Sequence, residues 1–295
     1  MSVVRTAFSN TGNLPRRKLV GRIFFGLFLT ATLLAIGVLF VLGWDIISDG
    51  GSWLNRNFIQ SFPSRRPEIA GIRPALIGTI WIMLLTAAFA FPIGVGAAIY
   101  LEEYSGKGWI SRIIELNISN LAGVPSIVYG LLGLGVFVEV MRLGPSILAG
   151  ALTMTLLILP IVIIASREAI RAVPDSLRQA ALALGGTRWE ATKSHVLPAA
   201  MPGILTGTIL ALSRAIGETA PLIVVGAVTY ANFSPSGLDS VFTVLPLQIF
   251  DWSSRPQDDF QRIAAAAIIV LLALLMTMNL AAILLRNRFR KNQNW

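Results

Sequence analysis

Residues 176–226 read SLRQAALALGGTRWEATKSHVLPAAMPGILTGTILALSRAIGETAPLIVVG, a stretch that decides the fold because a polar half leads directly into a long apolar half. The polar half carries helix signals and is typical of a loop that docks on another protein. The apolar half is long enough for a bilayer core of about 30 Å, which needs about 20 apolar residues. It nevertheless carries Arg214 and Glu218 near its centre. This combination predicts a transport subunit that is driven by a separate motor subunit.

The composition of the whole chain places it in a membrane. Of 295 residues, 55% are hydrophobic and only 13% are charged, whereas a soluble domain carries about 25% charged residues. The net charge of +9 fits basic loops that set membrane orientation, and we expect no nucleic-acid partner. The chain has no cysteine and a single histidine, His195. We therefore expect no metal, no cofactor and no catalytic residue in this chain.

Apolar runs along the chain predict an all-α polytopic membrane protein with six transmembrane helices. Gly123 and Pro125 interrupt the third run. Most of the lysines and arginines lie in the termini and in the loops after even-numbered runs, which predicts that both termini are cytoplasmic. The six runs cover 23–44, 75–101, 116–138, 146–166, 202–228 and 263–285.

These runs divide the chain into four parts. A cytoplasmic segment at 1–22 precedes a first helix and outer loop at 23–70. The transmembrane domain follows at 71–285 and contains a cytoplasmic loop at 167–200. A cytoplasmic tail at 286–295 completes the chain.

The loop at 167–200 contains the signals of a first short helix. Ser176 and Gln179 have the S-x-x-Q spacing of a capping box, and Gly185 would end the helix. A face of small and apolar residues could pack into a groove on another protein or onto its own domain, and the spacing leaves both interpretations open. That face consists of Leu177, Ala180, Ala181 and Leu184.

A second short helix is predicted in the same loop. Thr187 and Glu190 form a T-x-x-E capping box directly after Gly185 and Gly186. We expect Pro198 and Pro202 to close the loop before the fifth apolar run begins.

The charge pair in the fifth run has two interpretations. Arg214 lies about 18 Å into a helix that starts at 202, and an arginine at mid-membrane costs at least about 2.5–3.5 kcal/mol. Glu218, at i+4, would share its face. The pair could lock helices together, or it could belong to a substrate pathway with the hydroxyls of Ser213 and Thr219. Pro221 favours the pathway, because it frees a backbone carbonyl nearby.

The chemistry of the pair favours an oxyanion. A guanidinium is a planar fork of donors that suits phosphate or sulfate oxygens. A carboxylate can accept a hydrogen bond from the P–OH group of a protonated phosphate but repels sulfate. Our hypothesis is that Arg214 attracts the anion, whereas Glu218 selects phosphate over sulfate or holds Arg214 when the site is empty.

The loop at 167–200 resembles the EAA loop of ABC-transporter permeases. Gln179 and His195 stand where that pattern has Glu and Ile, and we expect His195 to be a surface or interface residue. The matching positions are Ala180, Ala181, Gly185, Leu197 and Pro198.

A narrower resemblance is carried by SRAIGETAPL at 213–222, VPSIVYGL at 124–131 and FTVLPLQIF at 242–250. These segments are similar to the A-type permeases of phosphate-specific ABC importers, over about 75–285.

The resemblance implies a type I ABC importer permease fold in a bacterial plasma (inner) membrane. It implies that this chain and a second, C-type permease form the pathway for inorganic phosphate across the lipid bilayer. A dimer of ATP-binding subunits would bind ATP and Mg²⁺ and contact the 167–200 loop, and an extracytoplasmic phosphate-binding protein would deliver the ligand. This chain has no Walker A motif, so we expect it not to hydrolyse ATP.

Three other functions were weighed against this one. A permease for sulfate or molybdate would have a similar fold, and a phosphate-sensing membrane scaffold would share the site without transport. An intramembrane enzyme is disfavoured, because the chain has neither G-x-S-x-G nor H-E-x-x-H and its one histidine lies in a loop.

The location of two further groups of residues, an acidic pair and a set of aromatics, is also predicted. We expect Glu102 and Glu103 to form a solvated helix end rather than a gate or an ATPase contact. The aromatic residues of the outer loop at 229–262 are expected either to anchor at the membrane interface or to dock the binding protein.

Overall fold

The computed structural model describes residues 14–106 and 108–291, and within these ranges all regular secondary structure is helical. The predicted N-terminal segment up to residue 13, Lys107 and the end of the tail at 292–295 lie outside the described residues. The α-helices are α1 Leu14–Gly50, α2 Arg56–Gln60, α3 Arg73–Ile99, α4 Trp109–Ala122, α5 Ser126–Gly133, α6 Ile147–Arg171, α7 Asp175–Ala183, α8 Arg188–Ala191, α9 Leu197–Ala215, α10 Ala220–Val225, α11 Leu245–Ser253 and α12 Asp258–Lys291.

Three π-helical turns extend these helices. Tyr100–Tyr104 continues α3, Leu134–Val140 continues α5, and Thr192–Val196 joins α8 to α9. Short 3₁₀ turns at Gly51–Trp53 and Pro67–Ile69 flank α2.

Five helical segments in the described ranges are long and apolar enough to cross a bilayer. A sixth crossing is a pair of helices, Trp109–Ala122 and Ser126–Val140, that bend by 103° at a short break. The all-α prediction with six crossings is therefore confirmed, with the third run folded as two helices. The continuous segments are Arg16–Trp53, Arg73–Tyr104, Ile147–Arg171, Arg188–Ala215 and Asp258–Arg288.

The bend in the third crossing has a local cause. Pro125 cannot donate a backbone hydrogen bond, and Gly123 ends α4 by closing the last turn onto the carbonyl of Asn120. The hydroxyl of Tyr129 then donates to the carbonyl of Leu121 at 2.8 Å, which ties α5 back to α4.

The chain forms two compact units, of which α1 makes up the described part of the first and residues from Gly50 onward make up the second. In the second unit α6 is the central helix, because it packs against both α3 and α9. Two thirds of the residues in its most apolar stretch are buried. Met154 and Ile158 of α6 meet Ile82 of α3 and Ala211 of α9 in the largest buried cluster.

A second buried cluster forms where α2, α11 and the start of α12 meet. Trp252 of α11 is fully buried beside Phe58, and Phe260 packs in the same cluster. Phe242 is buried in the main cluster under α6. For Phe242, Trp252 and Phe260, which are core residues, both expectations are wrong. For the exposed Tyr230, Phe233 and Phe250 they stay predictions.

Candidate functional site

The fifth apolar run is not one helix. The long helical segment runs Arg188–Ala215, four irregular residues follow, and α10 covers only Ala220–Val225. The prediction of a continuous helix over 202–228 is therefore wrong at its second half. Gly217 lies in the break, and Pro221 occupies the first turn of α10, where a missing N–H costs nothing.

Arg214 consequently lies in the last turn of α9 rather than in mid-helix. Two hydrogen bonds form a turn after Arg214. The N–H of Gly217 donates to the carbonyl of Arg214, and the N–H of Glu218 donates to the carbonyl of Ala215. The guanidinium of Arg214 still reaches the carboxylate of Glu218 at 3.5 Å. The side chains are 56% and 23% exposed within this chain, so the guanidinium of Arg214 is open to solvent while Glu218 is half-buried.

Ser213 and Thr219 flank this pair in sequence, and the hydroxyl of Ser213 bonds other groups. The hydroxyl of Ser213 is 2.8 Å from the carbonyl of Ile209 and 2.7 Å from the side-chain amide of Asn279 in α12. Thr219 precedes α10, and its carbonyl accepts from two backbone N–H groups of that helix. Asn279 was missed by sequence reasoning, although a lone asparagine in an apolar run was a visible signal.

The first loop helix, α7, forms with a different start from the one predicted. It begins at Asp175 after Pro174, with no side-chain cap, so the capping box of Ser176 and Gln179 is not formed. Gly185 ends it with φ +86, in the left-handed region that glycine adopts without strain. No residue of α7 is fully buried.

The second capping box does form. The hydroxyl of Thr187 accepts from the N–H of Glu190, whose carboxylate accepts from the N–H of Thr187 at 2.7 Å. From Arg188 the chain continues without a break into α9. Pro198 and Pro202 therefore lie within a continuous helical segment and do not close the loop as predicted.

The residues matching the EAA pattern lie in two places: Ala180, Ala181 and Gly185 in α7 and the turn that follows it, and Leu197 and Pro198 at the start of α9. Leu177 is half-buried and packs against the bundle beside Val173 and Ile170. Leu184 is 90% exposed and Trp189 is 54% exposed. Gln179, Ala180, Gly185, His195 and Pro198 are exposed, whereas Ala181 and Leu197 are half-buried.

Glu102 and Glu103 are not a solvated helix end. Glu102 bonds Arg167 at 2.9 Å and Arg171 at 3.2 Å, and Glu103 bonds Arg178 at 2.8 Å. Both carboxylates are largely buried, with 17% and 12% exposure. The expectation failed because their partners lie 65 or more residues away in sequence.

Comparison with known proteins identifies the family. The family described as "Binding-protein-dependent transport system inner membrane component" matches residues 90–291. Two solved structures share the fold. A bacterial alginate ABC transporter matches with a TM-score of 0.65 at 14% identity, over 92% of this chain and 96% of that one. The methionine transporter MetNI, in an inward-facing conformation, matches with a TM-score of 0.58 at 18% identity, over 73% and 94%.

The chain therefore belongs to the family of binding-protein-dependent transport system inner membrane components and has the fold of an ABC importer permease. It is 35% identical over 269 residues to "Phosphate transport system permease protein PstA 1" of Mycobacterium tuberculosis, over 89% of this chain and 86% of the relative. It is 32% identical over 278 residues to "Probable ABC transporter permease protein YqgI" of Bacillus subtilis, over 90% and 95%. PstA of Yersinia pestis is 33% identical over 225 residues, covering 76% and 75%.

Proposed function

We propose that this chain is a transmembrane permease subunit of an ATP-driven importer of inorganic phosphate. The observation that carries the proposal is the similarity to phosphate permeases over nearly the whole chain. The Arg214–Glu218 pair at the break after α9, with its arginine exposed, supports the same substrate.

In this proposal Arg214 is the group that attracts the anion. Its planar fork of N–H donors suits the oxygens of a phosphate, and its open position at the end of α9 leaves donors available to a ligand. Glu218 accepts a hydrogen bond from the P–OH group of a protonated phosphate, whereas sulfate carries no O–H group at neutral pH. Ser213 and Thr219 lie next to the pair and complete the proposed pathway.

The driving force comes from other subunits. We propose that the α7–α8 turn, with Gln179, Ala180, Ala181, Gly185, Leu197 and Pro198 around it, contacts a dimer of ATP-binding subunits. Those subunits bind ATP and Mg²⁺ and hydrolyse ATP, while this chain is non-catalytic and holds no cofactor. Leu184 and Trp189 are the exposed apolar groups that such a contact would cover.

The remaining partners complete an importer. A C-type permease forms the second half of the pathway, and an extracytoplasmic phosphate-binding protein delivers the ligand. The complex lies in a bacterial plasma (inner) membrane with both termini of this chain in the cytoplasm, as the distribution of basic loops indicates. Reporter fusions to each terminus test this orientation.

The test is uptake of labelled phosphate in cells that lack their own high-affinity system. The cells carry the partner subunits with the unaltered chain or with Arg214→Ala, at equal membrane levels and with excess sulfate. Arg262 is a matched control, since it is also 56% exposed and pairs with an acid one turn away. We expect Arg214→Ala to abolish uptake and Arg262→Ala to preserve it.

Two results would change the proposal. Normal uptake with Arg214→Ala would make the pair structural and place the pathway elsewhere. If the unaltered chain assembles but moves no phosphate, the substrate assignment is wrong and sulfate or molybdate uptake is measured next. Glu218→Gln tests selection separately, because unchanged preference for phosphate over sulfate would remove that role.

A further inference from the structure

The side chain of Arg178 in α7 uses every donor it has. A guanidinium offers five N–H groups. Two of them bond the carboxylate of Glu103, at 2.8 and 3.0 Å, and one bonds Asp175 at 3.0 Å. The other two bond backbone carbonyls, that of Val173 at 2.7 Å and that of Ile170 at 3.0 Å.

These five bonds join three helices. Ile170 lies in the last turn of α6, where its carbonyl also accepts from the N–H of Val173 at 3.2 Å, and Val173 follows the end of that helix. Glu103 lies in the π-helical turn that continues α3. Arg178 therefore connects α7 both to the end of α6 and to the end of α3.

The attachment of α7 to the bundle is mainly polar. Besides its contacts with α8 and the Thr192–Val196 turn, α7 contains no buried residue, and within this helix only Leu177 packs against the apolar cluster at this end. The Arg178 side chain, by contrast, is 18% exposed and its partner Glu103 is 12% exposed. A charge-assisted pair with little access to water is a stronger link than an exposed one.

The neighbouring carboxylate makes a separate connection. Glu102 bonds Arg167 and Arg171 of α6, so α3 and α6 are joined to each other independently of α7. A force that α7 applies to Glu103 thus acts on two helices that already hold together. Both helices line the core of the transmembrane unit.

We propose that Arg178 is the positioning residue through which movement of α7 reaches α3 and α6. This inference rests on the proposed function, in which ATP-binding subunits move the α7–α8 turn. Gln179, the next residue, is exposed. In this proposal Gln179 contacts the ATP-binding subunit, whereas Arg178 bonds the membrane helices. A lysine cannot reproduce these five bonds, because an ammonium has three N–H donors where a guanidinium has five in a fixed planar fork.

The test compares Arg178→Lys with Arg112→Lys in the assembled transporter. Arg112 is a matched control, because its side chain is exposed and it lies in α4, outside the proposed contact with the ATP-binding subunits. Two quantities are measured in nanodiscs: hydrogen exchange of the α7 amides, and the number of ATP molecules hydrolysed per phosphate transported. We expect Arg178→Lys to raise both about tenfold, and Arg112→Lys to change neither.

Each outcome decides the proposal. Exchange and coupling ratio that match the unaltered complex would overturn it, as would a parallel loss of hydrolysis and transport with unchanged exchange in α7. If Arg178→Lys prevents assembly, Glu103→Gln replaces it, since the two carbonyl bonds then survive and a smaller rise in both quantities is expected. If the unaltered complex moves no phosphate, the proposed function fails, but the exchange of α7 with and without ATP still tests Arg178.

Discussion

Gly130 in α5 offers a sharp test of how α10 is positioned beside the Arg214–Glu218 pair. A methyl group added at Gly130 would lie 2.8 Å from the Cα and 3.0 Å from the carbonyl oxygen of Pro221, and 3.0 Å from the Cβ of Val224. Pro221 is the second residue of α10, three residues after Glu218. Gly130→Ala therefore pushes directly on the backbone that follows the proposed anion site.

The expected change in the free energy of unfolding of Gly130→Ala follows from two opposing effects. Overpacking of this kind costs about 1–3 kcal/mol, whereas replacing glycine by alanine within a helix returns about 0.5–1 kcal/mol. Because the crowded atoms of Pro221 belong to the backbone and cannot rotate away, we expect Gly130→Ala to lose about 1–2 kcal/mol of unfolding free energy. At about 2–4 °C per kcal/mol for a unit of this size, Tm falls by about 2–8 °C.

The assay is thermal unfolding of the purified chain in detergent, followed by phosphate uptake of the assembled transporter. Gly96 in α3 is the matched control, since a methyl group there meets nothing within 4 Å in this chain. Gly96→Ala should keep or slightly raise Tm, while Gly130→Ala lowers Tm and reduces uptake. If Gly130→Ala is as stable as Gly96→Ala, the close approach of α5 to α10 does not exist as described.

Three further predictions concern single hydrogen bonds. Thr79→Val removes the buried hydroxyl that accepts from the N–H of Leu245 at 2.8 Å, so chemical denaturation should show a loss of about 1–3 kcal/mol, whereas Thr79→Ser should stay within about 1 kcal/mol. Thr187→Ala removes the cap of α8 and should cost about 1 kcal/mol locally, seen as faster hydrogen exchange in α8. A double-mutant cycle of Ser213→Ala and Asn279→Ala should give a coupling energy of about 0.6 kcal/mol, and a value near zero would contradict the bond.

The parts of the fold that sequence reasoning predicted correctly depend on signals within one turn of helix. The capping box of Thr187 and Glu190 needs only those two side chains and the backbone between them. Gly185 ends α7 because its own φ is positive. The apolar runs likewise report burial or lipid contact residue by residue, and this is why the helices appear where the runs predict them.

The end of α9 could not be placed in the same way. Gly217 and Pro221 are compatible both with a kinked helix and with two separate helices, because a proline is tolerated in the first turn of a new helix. Contacts made elsewhere favour the break, since α10 packs against α5 at Gly130, 91 residues from Pro221 in the chain. A prediction based on periodicity alone therefore extended the helix through a turn.

The misplaced start of α7 has a related explanation. The spacing of Ser176 and Gln179 suits a cap at Ser176, yet the observed N-cap is Pro174, two residues earlier, so Ser176 lies inside the helix. Arg178 bonds the carbonyl of Val173, which requires the chain to turn tightly after α6. Four of the five hydrogen bonds of Arg178 reach groups outside α7, so contacts with other elements hold this end of the helix in place of the local cap.

The same arginines explain why the topology rule and the ion pairs are compatible. Arg167, Arg171 and Arg178 count as positive residues of a predicted cytoplasmic loop, although Glu102 and Glu103 neutralise much of their charge. The positive-inside rule counts lysine and arginine rather than net charge, so pairing after folding does not remove the signal. Residues that orient the chain during insertion can therefore connect the loop to the bundle once the helices have packed.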